Sequence, residues 1–202
     1  MSIYNIVLFV HVIGAIGYAL SIGTWLLILL GFWRARRIEQ VRTLIYLNDL
    51  SGPLGAGSAV LLLAAGLYLA LTAWSLLTGW ILVALISLLL MVPTNALLIA
   101  PRRRTLVQLA REEAPDGEIS EALKQRLHDP VLWTMPQMIA ALLLGLIFLM
   151  TTKPALVGSL LVMMVALVLG AASSITVSRL QRSQRQEMSA QRGYHKANAG
   201  TK

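Results

Sequence analysis

Three long apolar runs, residues 3–33, 53–101 and 131–178, alternate with three polar segments along this chain. The first run holds no ionisable side chain other than His11 and its tyrosines. As one helix it would be roughly 46 Å long, against a hydrocarbon core of about 30 Å. It predicts a single span that tilts or protrudes, with Tyr4 and Trp33 as interfacial anchors. The second run is too long for one span and suits two. Its break is Thr78-Gly79, flanked by Trp74 and Trp80, where glycine serves the turn and the indoles mark an interface. The third run holds one charge, Lys153, and Lys153-Pro154 predicts the turn between its two spans. The pattern therefore predicts an all-α transmembrane bundle of five spans, at about 3–33, 53–74, 80–100, 131–151 and 155–178.

The polar segments carry weaker helical patterns. In 34–50, Ile38, Val41 and Ile45 recur at helical spacing among Arg36, Arg37, Glu39 and Arg42. That pattern predicts a helix lying in the interface, which ends before the start signal Ser51-Gly52-Pro53. Beyond Arg102-Arg103-Arg104, Leu106, Leu109 and Ala110 extend the third span's helix as far as the Pro115-Asp116-Gly117 break. A short amphipathic helix over 118–128 follows, with Ile119, Leu123 and Leu127 on one face, and Asp129-Pro130 begins the fourth span with a cap and a proline. Pro93, inside the third span, deprives the Leu89 carbonyl of its usual donor. Residues 179–202 are basic and poor in apolar side chains, which predicts a disordered tail.

Composition agrees with this reading. Hydrophobic residues make up 57% of the chain and charged residues 13%, with a mean hydropathy of +0.72. The net charge of +8 does not point to nucleic acid, because the basic residues cluster beside the ends of the apolar runs. Of 17 Lys and Arg residues, four fall in 34–50, six in 102–130 and six in 179–202, leaving Lys153. Five spans gather those three groups on one side, which the positive-inside rule makes cytoplasmic. The N-terminus is then outside, the C-terminus inside, and the expected location is the bacterial cytoplasmic membrane. The first run follows no Lys or Arg and is too long for a signal peptide, so it reads as a retained span. With no cysteine, disulfides, thiolate metal sites and cysteine nucleophiles are excluded. No catalytic motif appears, so the expectation is not an enzyme, and no pattern names a cofactor.

Candidate chemistry lies in the few polar residues inside the spans. His11 invites a metal or haem reading, since imidazole is a common ligand. Counting from Trp33, however, it sits near the outer headgroup boundary. His128, at the inner end of the fourth span, and His195, in the tail, cannot meet it across the bilayer. An interfacial or helix-packing role is the alternative. A second pattern is one of depth. Asn95, Gln137, Ser58 and Ser174 fall roughly 6–10 Å inside the cytoplasmic ends of their spans, Thr24 is somewhat deeper, and Pro93 and Pro136 bracket the layer. Buried amides either bond one another between helices or line a polar vestibule, and Asn95 and Gln137 are expected to pair directly. Ala15-Ala19-Gly23 and Ala166-Gly170-Ser174-Ser178 form small-residue stripes for close helix packing, within the chain, to a second copy or to a membrane-protein partner. The arginine cluster at 102–104 reads first as a topology signal, with binding of an anionic lipid or an anionic solute as the alternative. The acidic group Glu112, Glu113, Asp116, Glu118 and Glu121 could hold a divalent cation, but it shows no ligand spacing and reads as a solvated face.

His11 with Gly14 and Gly17, then Gly52-Pro53 and Gly66-Leu67-Tyr68, resemble a family of bacterial integral membrane proteins defined by a domain of unknown function. The likeness covers spans one to four and carries no activity with it. A more distant likeness is to the copper-resistance protein D type of membrane domain, which also begins with a His-bearing span, although the methionine- and histidine-rich ligation of a copper site is not visible here. Three functional readings follow. The first is a small-molecule or ion binding or transport component using the inner-leaflet layer. The second is a structural or assembly subunit docking through the small-residue stripes. The third is a haem- or metal-binding electron-transfer subunit using His11.

A reporter active only in the cytoplasm is expected to work when fused after Lys202 and to fail when inserted at Thr78-Gly79 or Lys153-Pro154. Reporter activity at either turn would contradict the five-span topology.

Overall fold

A computed structural model describes residues 2–35, 37–112, 120–127 and 129–176. The Pro115-Asp116-Gly117 break, Ile119, His128, Ser178, His195 and the tail over 179–202 lie outside the described residues. Five helices are long and apolar enough to cross a membrane, and the described residues contain no strand. Helix α1 covers Ile3–Arg34, with the Ser2 side chain accepting from the Asn5 amide at its start. α2 is Ile38–Thr72 and α3 is Gly79–Thr94. A π-helical turn, Asn95–Ile99, joins α3 to α4, Ala100–Glu112. α5 is Glu121–Leu127, α6 is Pro130–Thr152 and α7 is Leu156–Thr176. Large apolar side chains such as Phe9, Ile16, Leu61, Leu90, Leu144 and Leu161 point outward from the spans, as lipid-facing surfaces do.

Two signals at turns are seen directly. The Asp129 carboxylate caps α6 by accepting from the Val131 amide at 2.9 Å. Lys153 ends α6 in the left-handed conformation, φ 47°, and Pro154 follows it, a residue that cannot continue the helix.

The segment 34–50 corrects the expectation drawn from it. It is not an interfacial helix followed by a new start at Pro53. One helix of 35 residues runs from Ile38 through Pro53 to Thr72. At about 1.5 Å per residue this exceeds the hydrocarbon thickness by some 20 Å, so its first turns stand outside. The physical reason lies in what Ile38, Val41 and Ile45 touch. They are buried in one cluster with Leu106 and Ala110 of α4, Leu123 and Leu127 of α5, and Leu132 and Trp133 of α6. An apolar stripe covered by other helices has no need of the bilayer surface. Arg111 pairs with Asp49 at 2.7 Å and Arg102 with Asp129 at 3.4 Å around this cap. Pro53, inside this helix, leaves the Asp49 carbonyl without its usual helical donor. Near it, the Ser21 hydroxyl of α1 donates to the Ser51 carbonyl at 3.3 Å.

α1 and α2 form a tight antiparallel hairpin built on missing side chains. A Cβ on Gly14 would stand 2.7 Å from the Leu62 backbone nitrogen and 3.1 Å from the Ser58 carbonyl oxygen. Gly17 receives Ser58, Gly55 receives Ser21, and Gly66 receives the His11 ring. The working stripe on α1 is thus Gly14, Gly17 and Ser21. Ala15 and Ala19 pack partly against the core, whereas a Cβ on Gly23 would meet nothing within 4 Å. The second stripe is occupied inside the chain. Gly145 of α6 lies against Ala166 of α7, and Gly170 lies against Met138 and Ala141. α7 also approaches α3, where Gly79 lies against the Leu156 backbone.

Gly14→Ala is expected to destabilise the purified protein by about 1–3 kcal/mol, because overpacking against backbone cannot be relieved by a rotamer change. Gly23→Ala is expected to be neutral or stabilising by up to about 1 kcal/mol, from helix propensity. Thermal unfolding in mild detergent checks both, and equal effects would show that the Gly14 contact is not formed.

Candidate functional site

Pro93 shapes one end of the interior. It cannot donate to the Leu89 carbonyl, and the Thr94 hydroxyl turns back to the Leu90 carbonyl at 2.7 Å. The ladder then widens to π spacing over Asn95–Ile99, a shift of register frequent at functional sites. Asn95, Ile99 and Arg103, four residues apart, present one face. Opposite them α1 presents Tyr18, Ser21 and Trp25, at i, i+3 and i+7. These two faces, Gly52 and Gly55 of α2, and Pro136 and Ile139 of α6 enclose a cavity of about 370 Å³ near the basic end of the bundle.

Among the polar side chains of this cavity Arg103 and Trp25 can only donate, whereas Tyr18, Ser21 and Asn95 can donate or accept. The Arg103 guanidinium carbon lies 5.5 Å from the centre of the Trp25 ring, a cation–π arrangement. Phe32 meets the same indole edge-on, centroids 6.5 Å apart. The two ion pairs among the described residues engage Arg102 and Arg111 and not Arg103, on which Asp49 acts from longer range. Trp25 Nε1 is buried and has no hydrogen-bond partner, which costs roughly 1–3 kcal/mol. Asn95 completes the donor set with its side-chain amide.

The residues expected to form one layer do not converge. Asn95 alone lines this cavity. Ser58 is buried in the α1–α2 contact, against Gly17. Gln137 lines a separate groove between α6 and α7, with Leu161, Ala166 and Ser173. Ser174 is buried and donates to the Gly170 carbonyl at 2.6 Å. Thr24 is half-buried and lines neither space. The direct Asn95–Gln137 pair is therefore not formed. Depth along a span had matched these residues, but it carries no information on the direction in which each faces. The arginine cluster carries an anion-binding reading in the sequence, but nothing in the cluster itself singles out Arg103 or places it over Trp25. The usable signal was the Tyr18-Ser21-Trp25 spacing on α1, and an arginine two helical turns beyond Asn95.

His11 packs between α1 and α2 at the opposite end. Its Nδ1 lies 3.0 Å from the Leu62 carbonyl oxygen, which can only accept, so Nδ1 carries the proton. The described residues contain no group of three or more His, Asp or Glu side chains able to hold a metal ion.

A family model described as predicted integral membrane protein (DUF2269) matches residues 5–154. The match takes in α1 to α6 and both ends of the bundle. No curated protein and no solved structure matches the chain. Nothing in these comparisons ties it to the copper-resistance protein D type of domain.

Because Asn95 and Gln137 line different spaces, Asn95→Leu and Gln137→Leu are expected to combine additively within about 0.5 kcal/mol. A double-mutant cycle on thermal stability measures this. Coupling well above that value would mean that the two amides touch.

Proposed function

The chain belongs to this family of predicted integral membrane proteins, and from that premise we propose that it is a binding component whose basic-end cavity takes an anionic group, a phosphate or carboxylate. The carrying observation is Arg103, whose guanidinium lies over the Trp25 ring, lines the cavity and enters no ion pair among the described residues. An anion bound there accepts from Arg103 in a charge-assisted hydrogen bond and from the Asn95 side-chain amide. The role we propose is binding, and among the described residues that line the cavity there is no carboxylate or imidazole. By the charge distribution the basic end faces the cytoplasm of a bacterial cell, which puts the cavity in the inner leaflet and the N-terminus outside. The anionic group then belongs either to a cytoplasmic solute or to a lipid headgroup.

The test is binding to protein in phosphatidylcholine nanodiscs, followed by tryptophan fluorescence. Inorganic phosphate is titrated in one arm, and phosphatidylglycerol is mixed into the disc in the other. Saturable change in the first arm identifies a soluble anion, and change confined to the second identifies a headgroup. Arg103→Gln is expected to weaken the response at least about tenfold, the value of one hydrogen bond to a charged group. Trp25→Leu, which removes the ring beneath the guanidinium, is expected to weaken it about twofold or more. No response in either arm, or an unaltered response in Arg103→Gln, would refute the proposal.

A further inference from the structure

The end of the bundle remote from the basic cap holds a second cavity, of about 350 Å³, between α1, α2 and α3. Its walls are apolar, from side chains such as Leu8, Leu62, Ala84 and Leu88, and its polar groups are few. His11 is one of them. Lys153 and Thr151 of α6 and Tyr4 of α1 lie at the rim with Trp74 and Trp80. The two indoles meet edge-to-face, centroids 5.4 Å apart. The Lys153 ammonium lies 4.6 Å from the centre of Trp74 and 5.9 Å from that of Trp80.

The seat of His11 is specific. α2 offers it one carbonyl and one absent side chain. The Leu62 carbonyl accepts from Nδ1–H at 3.0 Å, and a Cβ on Gly66 would stand 2.8 Å from His11 Cε1 and 3.0 Å from Nδ1. That carbonyl settles the tautomer. With the proton on Nδ1, a neutral ring leaves Nε2 as a hydrogen-bond acceptor. Nε2 has no hydrogen-bond partner among the described residues and keeps some exposed surface, on a ring that lines the cavity. The site thus combines one fixed acceptor, apolar walls and an aromatic rim topped by a cation. Its volume lies within the range of small-molecule sites, about 300–1,000 Å³.

We propose that this second cavity binds a lipid-soluble aromatic alcohol of the quinol class, whose hydroxyl donates to His11 Nε2 while its ring lies among the apolar walls beneath Trp74 and Trp80. The ligand reaches the cavity from the bilayer, which the apolar walls favour. A hydroxyl is selected over a carbonyl because Nε2 has a lone pair and no proton to give. The quinol binds better than the corresponding quinone for that reason. The site is distinct from the anion cavity, and neither reading depends on the other.

The test uses the full chain with His128→Gln and His195→Gln, so that His11 is the one histidine left. The protein is ¹⁵N-labelled at histidine and placed in phosphatidylcholine nanodiscs. The probe is a short-chain ubiquinol, held reduced, and its oxidised form in parallel. Before addition, the ring is expected to show the neutral Nδ1–H tautomer. Ubiquinol is expected to move the Nε2 resonance saturably and to bind about three- to tenfold more tightly than the quinone, the value of one neutral hydrogen bond. His11→Phe, which keeps a ring but has no acceptor, is expected to abolish that preference. Gly66→Ala, which crowds the ring out of its seat, is expected to weaken quinol binding, with folding checked by unaltered helical circular dichroism. Equal affinity for the two forms, an Nε2 resonance that does not move, or an Nε2–H tautomer at the start would each overturn the proposal. So would a Soret band on addition of hemin that His11→Phe removes, since Nε2 would then be a metal ligand.

Discussion

The structure depends first on the backbone contact between α1 and α2. Hydrocarbon supplies no hydrophobic force to bring two apolar helices together, so they must gain their stability from close packing and interhelical hydrogen bonds. Gly14 against the Leu62 backbone, Gly17 against Ser58 and Gly55 against Ser21 provide that packing. The hydrogen bonds from Ser21 to the Ser51 carbonyl and from His11 to the Leu62 carbonyl cross the same seam. Each step of three or four residues along α1 is matched by one in the opposite sense along α2, so the seam fixes register as well as distance. Both cavities open beside it. His11 and Leu62 lie at one end, Ser21 and Gly55 at the other, and Leu63 lines both spaces. A slip of the hairpin by one turn would dismantle the two sites together.

At the basic end a different force takes over. The first turns of α2, with α4 and α5, extend beyond the length the hydrocarbon requires. Ile38, Val41, Leu106 and Leu123 are therefore buried away from water, each by roughly 1.5–3 kcal/mol. The polar contacts around this cap add little, since the Arg111–Asp49 pair is exposed on both sides. Trp133 ties the cap to the span below it by donating Nε1–H to the Leu127 carbonyl at 2.8 Å. The fold is thus glued by glycine inside the membrane and by leucine and isoleucine outside it. Arg103 sits where the two regimes meet, which is why it can turn inward over Trp25 while Arg102 pairs with Asp129 at the rim.

The sequence makes the five helices legible because a charge-free run of twenty residues has one stable solution in a bilayer. Asp129-Pro130 and Lys153-Pro154 are local signals, and local signals suffice to place ends. What stayed hidden was relational. Pro53 reads as a start because a proline in mid-helix is a breaker, and nothing local in the sequence says that the helix runs on through it. The interfacial reading of Ile38, Val41 and Ile45 failed for the same reason: an apolar stripe does not say what covers it. Asn95 and Gln137 share a depth but face different spaces, because the helix rotation set by packing, and the extra residue of the π turn after Pro93, cannot be counted from a span boundary. Gly14, Gly17 and Gly66 were visible as a family likeness before their role was. Their role is to admit the Leu62 backbone, Ser58 and His11.

The register of the α1–α2 seam is the claim on which both sites rest, and the absence of cysteine from the chain makes it directly measurable. An ideal Cβ at Gly55 stands 3.0 Å from the Ser21 Cβ, slightly below the usual disulfide separation of about 3.5–4.5 Å. Gly23 and Gly57 both face open space. In native membranes treated with a mild oxidant, the Ser21→Cys/Gly55→Cys protein should form an intramolecular disulfide in nearly all molecules, and the Gly23→Cys/Gly57→Cys protein should form none. Cross-linking of the second pair and not the first would contradict the seam, and with it the placement of both cavities.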